Sequence, residues 1–377
     1  MSGRQIRVVV VDDSRLMRAM IRKTLEADGD ILCVGAAEDT DSGRRIIKEQ
    51  NPDVVTLDVE MPGMNGIAFL EKIMTLRPMP VVMVSSHTQA GAEATLAALE
   101  VGAVDAVAKP VGDQAIERFG TRLRAAVRVA ADAKVARVEP ARALAPARPQ
   151  PASSASKVSK PTGPSRIGLI AIGASTGGVA ALGELLARLP NWLPPIVITQ
   201  HMPTSYTARF AERLNCSLTF DVAEASDGEA LRPGLIRIAP GGLHMAVSGS
   251  RGSPKTTLLD EPPVSGHRPS VDVLFSSTAR TIGAKALGII LTGMGRDGAD
   301  GMLQMRKLGA ATLGQSEPSC VVYGMPKAAY DLGAVQQELD LKNMAARIED
   351  VARHGPDILS QGRSTASGAS SCHRPVH

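Results

Sequence analysis

The chain has very few aromatic residues: its 377 residues include five Phe, three Tyr and one Trp. A platform for single-stranded nucleic acid stacks successive bases on exposed rings, so this scarcity argues against that class of protein. The net charge of +4 does not indicate a polyanion partner either, because the basic excess lies in one stretch. Between Arg128 and Arg166, eight Lys and Arg residues are offset only by Asp132 and Glu139. We therefore expect no nucleic-acid partner.

Cysteines and long apolar runs are also scarce. The sequence has no CxxC pair, which favours a reducing compartment over a disulfide framework, and its four cysteines are Cys33, Cys216, Cys320 and Cys372. We expect Cys216 and Cys320 to be small core residues. No apolar run reaches the roughly 18 residues of a membrane span. The first apolar run ends at Asp12 and Asp13, unlike a secretory signal. These features predict a cytoplasmic protein without membrane insertion.

A proline-rich segment divides the chain. Residues 140–164 contain six prolines with Ala and Ser between them and no hydrophobic periodicity, which is typical of a linker. We predict an N-terminal domain over residues 1–125, a flexible linker over 126–165, a second domain over 166–355 and a polar tail over 356–377. Both domains have ordinary sizes.

In both predicted domains, short apolar runs alternate with helical patterns. The N-terminal strand candidates are 6–11, 54–57, 81–84 and 103–107, and the C-terminal ones are 167–172, 196–199 and 287–291. Apolar strands alternating with helices indicate α/β domains with parallel sheets covered on both faces. In such sheets, ligands collect beyond the carboxyl ends of the strands.

Polar residues follow the N-terminal strand candidates. They are Asp12, Asp13, Asp58, Ser85 and Lys109. Carboxylates brought to one sheet edge repel each other unless a cation joins them, and oxygen-only ligands favour Mg²⁺. A hydroxyl and an ammonium nearby suit the oxygens of a phosphoryl group. Asp12 and Asp13 could instead cap the helix starting at Ser14, but the agreement of four strand ends favours a phosphorylation site.

The runs VVVVDDSRLMR, VVTLDVEMPGMNG, VVMVSS and AVAKP resemble the receiver domain of bacterial response regulators. The resemblance implies a five-stranded, doubly wound, flavodoxin-like fold with Asp58 as the phosphoacceptor. It also implies an Mg²⁺ site at Asp12, Asp13 and Asp58, a switch hydroxyl on Ser85, the family's ammonium on Lys109, and a sensor histidine kinase as phosphodonor. Receivers commonly carry an aromatic residue three positions before the lysine, where this chain has Ala106.

A glycine-rich turn, GASTGG, follows the first strand of the second predicted domain and precedes a helix. Gly-x-Ser-x-Gly between strand and helix is typical of a nucleophile elbow, which would expose the hydroxyl of Ser175. The spacing matches neither a dinucleotide fold nor a P-loop. A plain tight connection is the structural alternative, so a base and an orienting acid are needed to support catalysis.

His201 and Asp297 follow two further strand candidates, and each has a structural alternative: an ordinary buried histidine, and an aspartate bonding its own turn. Together with Ser175 they could form a triad in which an imidazole activates the hydroxyl and a carboxylate orients the imidazole. The chain order Ser, His, Asp differs from that of α/β-hydrolases, so we expect similar chemistry on another topology.

The runs IGASTGG, ITQHMP, HRPSVDVLF, ILTGMGRDG and SCVVYGMPKAA resemble the catalytic domain of chemotaxis-specific protein-glutamate methylesterases. This implies a three-layer α/β esterase domain with a mainly parallel sheet. It also implies metal-free hydrolysis of glutamate γ-methyl esters to methanol, and deamidation of glutamines, on the cytoplasmic helices of chemoreceptors. The catalytic residues would be Ser175, His201 and Asp297, with the Met294 N–H in the oxyanion hole. The family also suggests that the unphosphorylated receiver covers Ser175.

Two questions stay open at the level of sequence. In HRPSVD, His267, Arg268 and Asp272 could line the substrate cleft, whereas Ser270 and Asp272 could cap a helix near Val271, and caps of these types are common. The second domain could also be a non-catalytic protein-binding output module. A Ser175→Ala substitution distinguishes this alternative from a hydrolase.

Overall fold

The computed structural model describes residues 4–61, 65–86, 89–112, 114–135 and 165–361. Most of the predicted linker and the end of the predicted tail, including Cys372, lie outside these residues. Below, residues 4–135 are called the N-terminal unit and residues 165–361 the C-terminal unit. None of the helices in the described ranges has the length and apolar character needed to cross a bilayer.

The N-terminal unit alternates strands and helices. Its elements are β1 (Ile6–Val11), α1 (Arg15–Leu25), β2 (Ile31–Ala37), α2 (Thr40–Gln50), β3 (Val54–Asp58), α3 (Gly66–Leu76), β4 (Val81–Ser85), α4 (Gln89–Val101), β5 (Asp105–Ala108) and α5 (Gln114–Ala131). The five strands pair in parallel in the order β2-β1-β3-β4-β5. Every residue of β3 and β4 is buried, because helices cover both faces. This confirms the predicted doubly wound fold.

The C-terminal unit is built around a larger sheet. Its elements are β6 (Leu169–Ala174), α6 (Gly178–Leu186), β7 (Ile196–Gln200), α7 (Thr204–Ser217), β8 (Asp221–Glu224), β9 (Leu235–Ile238), β10 (His244–Ser250), β11 (Ser253–Leu259), α8 (Val271–Thr281), β12 (Ala286–Ile290), α9 (Ala299–Lys307), β13 (Ala311–Gln315), α10 (Met325–Asp331), β14 (Gln337–Leu339), α11 (Leu341–His354) and α12 (Ile358–Gln361). Seven strands pair in parallel in the order β14-β13-β12-β6-β7-β9-β8, while β10 and β11 form an antiparallel hairpin.

Alternate residues of β6 face two separate cores. Ile170 and Ile172 pack in a cluster with side chains of α6, α7 and α11. Leu169 and Ala171 pack in a second cluster with side chains of α8, α9 and α10. Because strand side chains alternate between faces, the sheet lies between two helical layers. The predicted three-layer α/β class is therefore confirmed.

Some local expectations differ from the structure. Helix α5 continues to Ala131, so residues 126–131, expected in the linker, are helical. A helix long enough to pack on the sheet takes up those residues, and Ala126, Val127 and Ala130 are buried in the core. Cys320 is buried, but Cys216 is exposed on α7, so the expectation of a core role for Cys216 is wrong.

The two units pack against each other through α4. Its residues Ala92 and Leu96 belong to the same buried cluster as Leu182 of α6 and Phe210 of α7. At the edge of this contact, Arg213 Nε donates a 3.0 Å hydrogen bond to Glu100 Oε1. A second contact follows α5, where the Lys134 N–H donates to the Val321 carbonyl at 3.1 Å.

Candidate active site

Three adjacent strands end at one place in the C-terminal unit. Strand β6 lies between β12 and β7, so the segments after these strands meet at one sheet edge. Ala174 pairs with Gln200, and the His201 N–H donates to the Ala174 carbonyl at 3.1 Å. The Ser175 N–H donates to the Thr292 carbonyl at 3.0 Å, which joins it to the segment after β12. Backbone pairing thus brings the loops of Ser175, His201 and Asp297 together.

Two glycines, one after β6 and one after β12, shape the backbone around Ser175. Gly177 has φ of +76°, a conformation that glycine adopts at no steric cost, whereas Ser175 is not among the positive-φ residues. The backbone reversal is therefore made after the serine. Across the site, a Cβ on Gly293 would lie 2.7 Å from the Ser175 Cβ, so only glycine lets that loop approach the serine.

His201 bonds Asp297 through one ring nitrogen and leaves the other free. His201 Nε2 lies 2.7 Å from Asp297 Oδ2, and the two side chains are 8% and 1% exposed. His201 Nδ1 is buried and has no hydrogen-bond partner within the part of the chain that the structure describes. An imidazole that donates from Nε2 to a carboxylate carries its lone pair on Nδ1. His201 is therefore oriented as a base whose accepting nitrogen is Nδ1.

Asp297 is held by the first turn of α8. The Ser270 hydroxyl donates to Asp297 Oδ1 at 2.7 Å, the Val271 N–H to Oδ2 at 2.8 Å, and the Asp272 N–H to Oδ1 at 3.0 Å. Burial alone would raise the pKa of Asp297, but the bonds from His201, Ser270 and Val271 outweigh it and lower the pKa to about 2. The carboxylate is thus ionised at neutral pH although it is buried.

This arrangement answers part of the question left open by HRPSVD. Ser270 occupies the N-cap position of α8, yet its side chain makes no capping bond to the helix. Asp297 caps the helix instead, from a loop 26 residues away from Val271. Asp272 accepts a 2.7 Å hydrogen bond from the Gly301 N–H. Ser270 and Asp272 therefore have structural roles, and both bond the carboxylate beside His201.

A second histidine covers the ring of His201. The His267 and His201 rings stack with centroids 3.8 Å apart and planes 6° from parallel. Burial and the neighbouring His201 lower the pKa of His267 to about 4, so the ring is neutral at neutral pH.

Met294 lies on the loop that follows β12. Its side chain is 45% exposed. The loop is fixed at Gly293, because the Gly293 N–H donates to the Val322 carbonyl at 3.1 Å and the Met325 N–H donates to the Gly293 carbonyl at 2.8 Å. The Met294 N–H bonds to none of the described residues. It is a free donor next to the glycine that contacts Ser175.

The N-terminal unit covers Ser175 and His201. The cavity between them and the N-terminal unit has a volume of about 60 Å³, and its walls include Asp105, Ala106 and Arg122. Such a space holds a few waters, not a helix carrying a glutamate side chain. No hydrogen bond joins the side chains of Ser175 and His201 in the described structure. The site is therefore closed in this conformation.

The sheet edge of the N-terminal unit carries the acidic cluster. Oxygens of Asp12, Asp13 and Asp58 lie within 4.8 Å of one another. Lys109 Nζ lies 2.7 Å from Asp58 Oδ2 and 3.0 Å from Asp12 Oδ2. Burial raises the pKa of Asp58 in spite of Lys109; the same burial would lower the pKa of Lys109, but the two carboxylates raise it.

The aspartates are not the caps of α1. The Ser14 hydroxyl accepts the capping bond from the Met17 N–H. Asp12 Oδ1 accepts from the Ser14 N–H at 2.9 Å, while the buried Asp12 Oδ2 faces the Lys109 ammonium at 3.0 Å. Three carboxylates that meet at one place with a single ammonium beside them keep a net negative charge, and an oxygen-only set of this kind fits a divalent cation.

Ser85 is buried and bonded toward α4. The Thr95 hydroxyl donates to Ser85 Oγ at 2.7 Å, and Ser85 Oγ donates to the Gly91 carbonyl at 3.2 Å. Thr95 also lines the cavity beside Ser175. One hydroxyl pair thus joins the end of β4 to the interface between the units.

Gln200 supports the site, and no sequence pattern had singled it out. Gln200 Nε2 donates to the Ser175 carbonyl at 2.8 Å and to the His201 carbonyl at 3.2 Å, holding the two catalytic candidates by their backbones. Its place at the end of a wholly buried strand was the available signal, since a buried amide needs partners.

Two family models match the chain. The response regulator receiver domain matches residues 8–119, and CheB methylesterase matches residues 170–348. A protein-glutamate methylesterase/protein-glutamine glutaminase from Caulobacter vibrioides is 54% identical over 92% of this chain and 98% of its own length. One from Agrobacterium fabrum is 52% identical over 91% of this chain and 95% of its own length.

A crystal structure of the Thermotoga maritima CheB methylesterase catalytic domain is 33% identical, with a TM-score of 0.48; the match covers 49% of this chain and 98% of that one. The identities of 54% and 52% across nearly the whole length of the Caulobacter and Agrobacterium proteins show that this chain is related to them. The chain belongs to the family of protein-glutamate methylesterases/protein-glutamine glutaminases that combine a receiver domain with a CheB methylesterase domain.

Proposed function

We propose that the chain is a phosphorylation-activated hydrolase that demethylates glutamate γ-methyl esters on chemoreceptors and deamidates receptor glutamines. The observation that carries this proposal is the state of His201, whose Nε2 bonds Asp297 while Nδ1 is buried and unpartnered beside the loop of Ser175. A non-catalytic output module has no need of such a base. The names of the relatives, methylesterases and glutaminases, support the same reaction.

The proposed reaction starts with a rotation of the Ser175 side chain. Its hydroxyl turns toward His201 Nδ1, which takes the proton as Oγ attacks the γ-carbonyl carbon of the ester or amide. Asp297 stabilises the resulting imidazolium through Nε2. Since Asp297 is already ionised and bonded by three donors of α8, it needs no reorganisation during this step.

The Met294 N–H is the proposed oxyanion donor, since it is free and fixed by the bonds of Gly293. His201 returns its proton to the leaving group, so methanol departs from an ester and ammonia from a glutamine. Water, deprotonated by His201, then attacks the acyl-enzyme and regenerates Ser175. Ester hydrolysis is proposed to need no metal.

In the receiver domain, Asp58 is the proposed phosphoacceptor, with a chemotaxis histidine kinase as phosphodonor. Asp12, Asp13 and Asp58 would hold Mg²⁺, whose charge neutralises phosphoryl oxygens when it is bound. Lys109 is placed to bind another of these oxygens, and Ser85 to donate to one after exchanging partners. Because the proposed kinase and receptor helices are cytoplasmic, the chain is proposed to act in the cytoplasm.

We propose that the receiver inhibits by covering Ser175. Because Ser85 bonds Thr95 and Gly91, a turn of Ser85 toward a phosphoryl group on Asp58 would break these bonds to α4. Helix α4 is also the main contact with α6 and α7, so loosening it favours opening. The small Ala106 cannot supply an aromatic rotamer switch, which leaves the hydroxyl pair as the proposed link.

The test uses the full chain and receptor labelled on its methyl esters. We expect volatile labelled methanol to be released faster with a small phosphodonor than without it, and Asp58→Asn to abolish the difference. Receptor with glutamines at the same positions should yield ammonia. Absence of methanol release by the phosphorylated chain, with folding intact, would overturn the proposal.

A further inference from the structure

The ring of His267 is part of the site but has no place in the reaction above. It lies on the loop before α8 and stacks on His201 at a centroid distance of 3.8 Å, with planes 6° apart. In the described structure its ring nitrogens make no hydrogen bond. Stacking on the His201 ring is therefore the contact that defines the position of the His267 ring in the described structure.

The backbone holds His267 in place from behind. The Val264 N–H donates to the His267 carbonyl at 3.1 Å, and the His267 N–H donates to the Val264 carbonyl at 2.9 Å. The next residue, Arg268, bonds Asp260 at 2.7 Å. The loop therefore presents the ring from a fixed position.

His201 needs this support because, among the described residues, its side chain forms a hydrogen bond with Asp297 alone. One bond at Nε2 fixes one edge of the ring but leaves the ring plane free to tilt around it. In the proposed reaction Nδ1 has to reach Ser175, so a tilt would misalign it, and displacements of about 1 Å in catalytic groups cost on the order of 10²-fold in rate.

We propose that His267 is a positioning residue for His201, whose ring it holds by face-to-face stacking so that Nδ1 is aimed at Ser175. This inference rests on the proposed function of His201 as the base. It assigns His267 no contact with substrate and no proton transfer.

The charges around the pair are consistent with this role. The groups that act on His267 are His201, Asp297 and Arg122, the last from the receiver domain. Two stacked imidazolium rings at this distance would repel strongly. Since only His201 has a carboxylate partner, the proton taken from Ser175 stays on His201 and His267 stays neutral.

The test compares three substitutions in the full chain with a small phosphodonor. His267→Phe keeps a flat ring but no titratable nitrogen, whereas His267→Ala and His267→Gln remove the stack. We expect Phe to retain kcat within about threefold, and Ala and Gln to lower kcat roughly 10- to 100-fold with KM changed less than about twofold. His354→Ala, at the exposed end of α11, is the matched control and should be unchanged.

A second measurement does not depend on activity. In the NMR spectrum of the full chain, the His201 Hε1 signal should lose its ring-current shift in His267→Ala and largely keep it in His267→Phe. A Ser175→Ala chain assayed in parallel tests the proposed function separately: if it stays active, the function fails, while the NMR result still reports on the stack.

Three results would overturn the inference. If Phe is as inactive as Ala, the nitrogen of His267 transfers a proton. If Ala and Gln raise KM alone, His267 contacts substrate. If Gln equals the unmodified chain, the stack has no role, and this holds even where Ala fails to fold.

Discussion

The hydroxyl of Ser270 donates a 2.7 Å hydrogen bond to Asp297 Oδ1, so the residue at the start of α8 serves the carboxylate beside His201 and not its own helix. The helix and the carboxylate satisfy each other: two free amides at the N-terminus find an acceptor, and a buried charge finds donors.

Removing this hydroxyl should weaken catalysis without destroying the site. We expect Ser270→Ala to lower kcat roughly 5- to 20-fold, because a hydrogen bond to a charged group contributes about 1.5–3 kcal/mol but the two amide bonds remain. Ser276→Ala, in the same helix, should have no comparable effect on labelled methanol release. Equal rates for both variants would show that Ser270 does not support Asp297.

The stacked histidines predict a specific pH dependence of stability. The pKa of His267 is about 4 in the folded chain, below its ordinary 6.5, so between these values the unfolded chain binds the proton more tightly. Stability should therefore fall as pH drops from about 6.5 toward 4. Between pH 7 and 4.5, the free energy of unfolding of His267→Phe should fall by about 2 kcal/mol less than that of the unmodified chain. Denaturant unfolding measures this, and equal losses would contradict the neutral state of His267.

The ion pair between Glu100 and Arg213 predicts how the domains are held together. Glu100→Arg places two positive charges in contact and should raise methanol release without phosphodonor roughly 3- to 10-fold, since the interface is weakened. The double variant Glu100→Arg with Arg213→Glu restores opposite charges and should return the rate toward the unmodified value. If the single and the double variant release methanol at the same rate without phosphodonor, this contact does not restrain the receiver.

The bond between Thr95 and Ser85 predicts a residue needed for coupling. Thr95→Val keeps the shape of the side chain but cannot bond Ser85, so α4 should respond less to phosphorylation of Asp58. The activation ratio is the rate with phosphodonor divided by the rate without it. We expect this ratio to fall roughly fivefold, in line with about 1 kcal/mol per hydrogen bond. Thr121→Val, on the exposed face of α5, should leave the ratio as it is. An unchanged ratio in Thr95→Val would remove the hydroxyl pair from the pathway.

The apolar runs predicted β1, β3, β4 and β5 of one sheet, β6, β7 and β12 of the other, and the polar residues at their ends. They did not reveal β2, β8, β9, β13, β14 or the β10–β11 hairpin. Apolar runs such as those of β3 and β6, alternating with helical patterns, indicate buried strands in a parallel sheet, and parallel strands bring their carboxyl ends to one edge. This is why the sequence alone groups Ser175, His201 and Asp297.

Three features depended on tertiary structure. The choice of Nε2 for the bond to Asp297 depends on the orientation of the His201 ring, which no sequence pattern specifies. The role of Ser270 was hidden because serine before a helix is usually its cap. The closure of the site by the receiver depends on the packing of α4, a helix whose own sequence predicts only a buried face.

The account depends most on Ser175 being a nucleophile activated by His201. The most direct measurement is labelled methanol release from methylated receptor by the phosphorylated full chain, compared with Ser175→Ala. We predict a loss of roughly 10⁶-fold in turnover with unchanged folding, as in other serine hydrolases whose nucleophile is removed. Release at a rate near that of the unmodified chain would contradict the account.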